Sequence, residues 1–280
     1  MITKAGIIYG LGDALNARAF LLTYCKQKGI EHKSIKIFTQ YWDIFKDEGF
    51  IRETNRDKMK GLIGYRNFCN YDLPKKYDIK KCDECIAKNA EIDFSFDTIV
   101  PLNWNTPLNI SLPRKFVTVN NGVGKYAGSN YIYIKQWLQK YWEDLVLKIG
   151  VPCVQIGSGD SCTPIKGCVL NLVNKTNIYQ TAEVMKKALF HIDIEGALPI
   201  LNQHIGKKSV VLFGATGIGD KGRSFNLNLC SDVCNPCYEW GTFRHTQLRV
   251  RKGMLDCDKK CMTELKPDYV IERIYQEKWL

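Results

Sequence analysis

A short apolar run at residues 5–9 gives way to Gly10-Leu-Gly12-Asp13 and then to a helical pattern. That order commits the start of the chain to a buried strand, a tight turn and a helix. Residues 14–28 carry Leu15, Ala19, Leu22 and Tyr24 or Cys25 at helical spacing, and residues 34–38 read as a second strand. A strand, a crossover helix and a second strand are most simply joined in a parallel sheet.

Further along, residues 40–95 are irregular and carry Cys69 and the pair Cys82-Asp-Glu-Cys85. Strands are expected at 98–101 and 115–119, followed by a long helix over 131–148 with Trp137, Tyr141 and Trp142 near one face. Gly150-Val-Pro152 ends that helix and the α/β pattern restarts. Strands are expected at 153–156, 190–194 and 209–213, with helices at 179–189 and 198–205 and a last helix opened by Pro267. The chain therefore reads as two α/β halves joined near residues 145–151.

Three strand ends carry candidate binding residues. Gly10, Gly12 and Asp13 sit where ligands approach an open α/β sheet, although, taken alone, a plain turn with Asp13 as the helix N-cap explains them better. Leu15 stands where the third glycine of a dinucleotide fingerprint belongs, which argues against a nicotinamide enzyme. In the second half, Gly157-Ser158-Gly159-Asp160 and Gly214-Ala215-Thr216-Gly217 each follow a strand, with Glu195-Gly196 between them. Such loops can hold the phosphates and ribose of a nucleotide through backbone N–H groups.

Cys234-Asn-Pro-Cys237 and Cys257-Asp-Lys-Lys-Cys261 are two close thiol pairs that could supply one tetrahedral ion. Four thiolates leave no open position, so an ion of the zinc type there is structural, stapling a turn-rich segment; no catalytic metal is expected. Cys230 is a possible substitute ligand, and Cys69, Cys82 and Cys85 lack an evident fourth partner. The four histidines have no metal or dyad spacing, and His204 and His245 are expected at the surface.

Twelve cysteines in a chain without a signal-peptide pattern or membrane-length apolar run read as reduced thiols of a cytoplasmic protein. The net charge of +11 permits an anionic partner, whether nucleotide diphosphate, lipopolysaccharide, membrane surface or nucleic acid, but the basic residues form no single block.

These motifs resemble the family 9 glycosyltransferases, the ADP-heptose heptosyltransferases. The resemblance is carried by residues 7–15, by Asn174-Lys175-Thr176, by 182–190, by 211–216, and by the trailing cysteines with Pro267-Asp-Tyr-Val270. The cysteine quartet is similar to that of autotransporter heptosyltransferases, which bind iron. The family implies a GT-B architecture, two Rossmann-like domains facing across a cleft. In this chain that means residues 1–148 on the acceptor side, 149–265 binding the nucleotide sugar, and a helix at 266–280 packing back on the first domain. It implies that Asp13 is the general base of an inverting transfer. Gly10, Gly12, Gly157, Ser158, Gly159, Asp160, Lys175, Glu195, Gly196, Gly214, Ala215 and Thr216 would surround the donor. The favoured donor is ADP-heptose and the acceptor a glycan, lipopolysaccharide or protein. Peripheral attachment to the inner membrane is left open. The family's Asp-(Ser/Thr)-Gly-x-x-His stretch reads Ile194-Glu-Gly-Ala-Leu-Pro199 here, without the histidine. The alternatives are a glycosyltransferase acting on nucleic acid or protein and a non-catalytic nucleotide-binding module.

Overall fold

Lys4–Ile7 (β1) and Lys36–Thr39 (β2) lie side by side in parallel with helix Leu11–Lys28 (α1) between them in sequence, the crossover unit the opening motif demands. The structure is a computed structural model, and it describes residues 1–8, 10–59, 63–64, 69–71, 82–123, 135–233 and 258–280. The chain packs as two compact units, Met1–Val100 and Pro101–Leu280. The described residues between 101 and 148, grouped with the N-terminal half on sequence, pack in the second unit.

In the first unit, Ile51–Arg52 (β3) extends the sheet beyond β2 in parallel. On the other side of β1, Ile63–Gly64 (β4) and Cys69–Tyr71 (β5) form an antiparallel hairpin, giving the order β3-β2-β1-β5-β4. The sheet is thus mixed and not wholly parallel as the opening suggested. Helix α1 begins at Leu11, earlier than expected, and its first turns are buried almost all round, from Ala14 to Leu21. Phe20 packs edge-on to Phe94, with ring centroids 5.5 Å apart. Arg18, buried among these apolar groups, is matched by the Glu48 carboxylate and donates to the Val100 carbonyl at 3.2 Å. Burial holds its guanidinium below the usual range, and the charge and hydrogen bond of Glu48 offset only part of that effect. Cys82–Asn89 (α2) packs beside α1.

The second unit is built on one parallel sheet. Its strands are Val117–Val119 (β6), Cys153–Gln155 (β7), Leu170–Asn171 (β8), His191–Ile194 (β9), Ser209–Phe213 (β10) and Leu227–Cys230 (β11), in the order β11-β10-β9-β6-β7-β8. Its helices are Gln139–Lys148 (α3), Ile178–Lys187 (α4), Ala197–His204 (α5), Ile218–Lys221 (α6), Lys260–Thr263 (α7) and Pro267–Gln276 (α8). Central strands buried on both faces read as continuous apolar runs, which is why β10 was legible. Helix α4 opens with a reciprocal cap in which Asn177 Oδ1 accepts the Gln180 N–H at 2.9 Å and Gln180 Oε1 accepts the Asn177 N–H at 3.0 Å. Helix α8, with Pro267 in its first turn, packs on α3, so Val270 and Ile274 share one core with Leu145 and Ile149.

Three expectations are corrected. Residues 98–101 form no strand among the described residues; Pro101, Pro107 and Pro113 withdraw N–H donors from the irregular segment here. The aromatic helix starts only at Gln139, with Leu138 as its cap, although Trp137 and Trp142 are buried and in contact as the spacing suggested. His204 is only 2% exposed, because α5 is covered by the segment whose Leu102 N–H donates to the His204 carbonyl at 3.1 Å. His245 lies outside the described residues. Among the described residues no helix is long and apolar enough to cross a membrane.

Candidate functional site

Because all six strands of the second sheet are parallel, their carboxyl ends meet along one edge. Sequence order runs outward from β6 through β7 to β8 on one side, and from β9 through β10 to β11 on the other. The switch therefore falls between β6 and β9. There the strand order reverses, the place at which open α/β sheets receive ligands beyond the carboxyl ends of their strands.

Glu195 leaves β9 at this point, its backbone N–H donating to the Leu212 carbonyl at 3.1 Å. Its side chain is 19% exposed and forms an ion pair with Lys135, itself 13% exposed. The Thr216 hydroxyl, on the loop after β10, makes a long 3.5 Å contact to Glu195 Oε2. Burial alone raises the Glu195 carboxyl. The charge and hydrogen bond of Lys135, the charge of Lys221 and the Thr216 hydroxyl outweigh it and hold the group below its usual range. The site thus presents an ionised carboxylate and an ammonium at the mouth of the switch point. Gly196 caps α5, and Gly214, Ala215 and Thr216 are buried beside it.

The loop after β7 lies on the same edge. Gly157 has φ of +132°, and a Cβ there would stand 2.4 Å from Asn120 Oδ1, so backbone and space both require glycine. The Gly159 N–H donates to Asn174 Oδ1 at 2.8 Å, which ties this loop to the turn after β8. Ser158 and Asp160 are exposed. Lys175 follows β8 and is exposed, its ammonium donating to the Asn171 carbonyl at 2.9 Å.

Gly10, Gly12 and Asp13 belong to the first unit. Gly10 is the N-cap of α1 and Asp13 stands three residues in, its Oδ2 accepting the Gly10 N–H at 3.1 Å. Asp13 is therefore not the N-cap but the acid that reaches back to it.

Sequence reasoning missed Lys135 and Asn120, and also missed His191 and Asp193 on β9. Asp193 is 1% exposed; burial pushes its carboxyl up, opposed by His191 and Asn120. The dipeptide after β6, Asn120-Asn121, was the available signal, since two amides next to a glycine at a strand end mark a structured turn.

Cys234, Cys237 and Cys257 lie outside the described residues, and Cys261 is buried at the start of α7. Among the described residues no group of three or more His, Cys, Asp or Glu could hold a metal ion. Cys230, at the end of β11, is partly buried, and burial with the Asp232 charge raises its thiol.

No family model matches the sequence, and no curated protein matches it. Solved structures do. The iron-containing dodecameric heptosyltransferase TibC of enterotoxigenic E. coli, in complex with ADP-D-β-D-heptose, superposes with a TM-score of 0.65 at 13% identity, covering 99% of this chain and 78% of that one. A glycosyl transferase of family 9 from Veillonella parvula gives 0.61 at 11% identity, covering 97% and 95% of the two chains. E. coli ADP-heptose lipopolysaccharide heptosyltransferase II gives 0.59 at 11% identity, covering 98% and 99%. The chain has the heptosyltransferase-like fold of the family 9 glycosyltransferases.

Proposed function

We propose that the chain is an inverting glycosyltransferase that moves a sugar from a nucleotide diphosphate, ADP-heptose being favoured, to an acceptor hydroxyl. The observation that carries this reading is the Glu195–Lys135–Thr216 group at the switch point of the parallel sheet. A carboxylate there suits ribose hydroxyls and an ammonium suits phosphate oxygens. The presence of ADP-D-β-D-heptose on TibC, whose fold this chain shares, supports the choice of donor.

In this reading the second unit takes the donor and the first takes the acceptor, a glycan, lipopolysaccharide or protein, in the cytoplasm or at the inner membrane. The acceptor oxygen attacks the anomeric carbon, the bond from that carbon to the phosphate oxygen breaks, and the nucleoside diphosphate departs with the bonding pair. The acceptor proton passes to the Asp13 carboxylate. A structural zinc or iron held by Cys234, Cys237, Cys257 and Cys261 accompanies the fold. Of the four, Cys261 lies among the described residues and is 2% exposed, as a ligand of a closed four-sulfur site would be. The ion fixes the cysteine segment and takes no part in transfer.

One observation favours the non-catalytic module as a second reading. Asp13 already has a helix-start role that needs no chemistry. The test is a panel of nucleotide sugars in thermal-shift and transfer assays. ADP-heptose is expected to stabilise the protein and to be consumed with an acceptor. Stabilisation without consumption selects the binding module, and no stabilisation by any nucleotide sugar defeats both readings.

A further inference from the structure

Beneath the switch point, one side chain has every polar valence occupied. Asn120, the first residue after β6, is 7% exposed. Its Nδ2 donates to Asp193 Oδ1 at 2.9 Å and to the Gly122 carbonyl at 3.3 Å. Its Oδ1 accepts the Gly122 N–H at 3.1 Å and faces the Cys162 thiol, whose one proton is shared between this oxygen and the Ser158 carbonyl, 3.4 Å from each. An amide offers two donors and one two-lone-pair acceptor, so this inventory is complete. The four bonds reach three places: the turn after β6, the loop after β7 and the buried strand β9.

Asp193 anchors the arrangement from below. Its Oδ2 lies 3.3 Å from His191 Nε2, and His191 Nδ1 lies 3.0 Å from the Thr118 hydroxyl on β6. The glycines on either side are fitted to the clamp. A Cβ on Gly122 would stand 2.0 Å from Cys162 Sγ, and one on Gly157 would stand 2.4 Å from Asn120 Oδ1. The two loops therefore close on Asn120 and Cys162 with no room for a methyl group.

We propose that Asn120 is a positioning residue. Its amide, held by Asp193, locks the loops 120–123 and 157–162 at the spacing that receives the donor's diphosphate. The inference rests on the nucleotide-sugar reading for its ligand, but the clamp itself stands on geometry alone.

The test exchanges acid and amide across the pair. Asn120→Asp sets two carboxylates against each other and removes both donors. The double variant Asn120→Asp with Asp193→Asn restores a donor facing an acceptor, and leaves the new amide's oxygen for His191. ADP binding is read by calorimetry on folded protein well below its melting temperature. Alkylation of Cys162 is followed by mass spectrometry. Asn120→Asp should weaken ADP binding about tenfold or more, and the double variant should return to within about threefold of the parent. Cys162 should react faster in the single variant and return towards the parent rate in the double one. A residue that merely supports the fold would lower the melting temperature without this loss and rescue. ADP binding unchanged in Asn120→Asp, or not recovered in the double variant, overturns the proposal. If the single variant fails to fold, the double one decides: parent-like ADP binding supports the pairing, and folded protein with weak binding overturns it. A parent that binds no nucleoside diphosphate, with the Cys162 rates still ordered as expected, defeats the donor reading and leaves the clamp standing.

Discussion

Lys135 Nζ meets Glu195 Oε2 across a separation of sixty residues, at the carboxyl edge of the second sheet. Neither side chain is more than 19% exposed, so removing one leaves the other largely out of water. Lys135→Met should lower stability by about 1–3 kcal/mol at pH 7. The pH dependence has a definite sign. The Glu195 carboxyl is held below its usual range, so the pair's contribution is complete above the unfolded carboxyl value of about 4.3 and is lost as pH falls through the lower folded value. The gap between parent and Lys135→Met in denaturant melts should therefore shrink on acidification. A gap that is constant from pH 7 to pH 3 would show that Glu195 gains nothing from Lys135.

Asp13 separates a structural duty from a proposed chemical one. Asparagine keeps an oxygen for the Gly10 N–H, whereas alanine does not. Asp13→Asn should thus melt close to the parent while losing about 10²–10⁴-fold in transfer rate. Asp13→Ala should lose the same activity and also about 1 kcal/mol of stability. Full transfer by Asp13→Asn would remove the base assignment.

The legible parts of the chain are those governed by local pattern. β1, α1 and β10 follow from apolar runs, helical spacing and glycine turns, and Pro267 marks the last helix. What escaped depends on distant partners or on masking composition. β11 carries asparagine in a stretch rich in turn formers, and only pairing with β10 reveals it as a strand. Lys135 belonged, on sequence, to a helix face, and its partner Glu195 is known only once the sheet order places β6 beside β9. Asp193 fell unremarked inside the expected strand 190–194, and its amide partner lies seventy-three residues upstream. Of the expected donor residues, Glu195, Gly196 and Gly214 to Thr216 gather at one place.

Two glycines of one loop should respond differently to alanine. Gly157 and Gly159 both have positive φ, +132° and +92°, so each substitution carries backbone strain of about 1–3 kcal/mol. A methyl group on Gly159 meets nothing within 4 Å, whereas one on Gly157 stands 2.4 Å from Asn120 Oδ1 and 2.9 Å from Cys162 Sγ. Gly157→Ala should consequently cost at least about 1 kcal/mol more than Gly159→Ala, because the buried amide must move. Chemical denaturation of both variants checks the order, and equal losses would show that the Asn120 clamp yields freely.

The cysteine segment is best judged by metal content and stability together. If four thiolates hold one ion, purified protein should contain about one zinc or iron per chain, and a strong chelator should lower its melting temperature. Cys237→Ser should reduce both metal content and stability while leaving the Michaelis constant for the donor within about twofold, since a closed four-sulfur site offers no position to substrate. Cys261→Ser is a less selective probe, because that side chain is buried in the main core with Met262 and Leu265, and exchanging its sulfur for a more polar hydroxyl there costs stability on its own. The informative comparison is therefore Cys237→Ser with and without added metal. Parent-like stability and metal content in that variant would exclude Cys237 from the ligand set and direct attention to Cys230, four residues before Cys234.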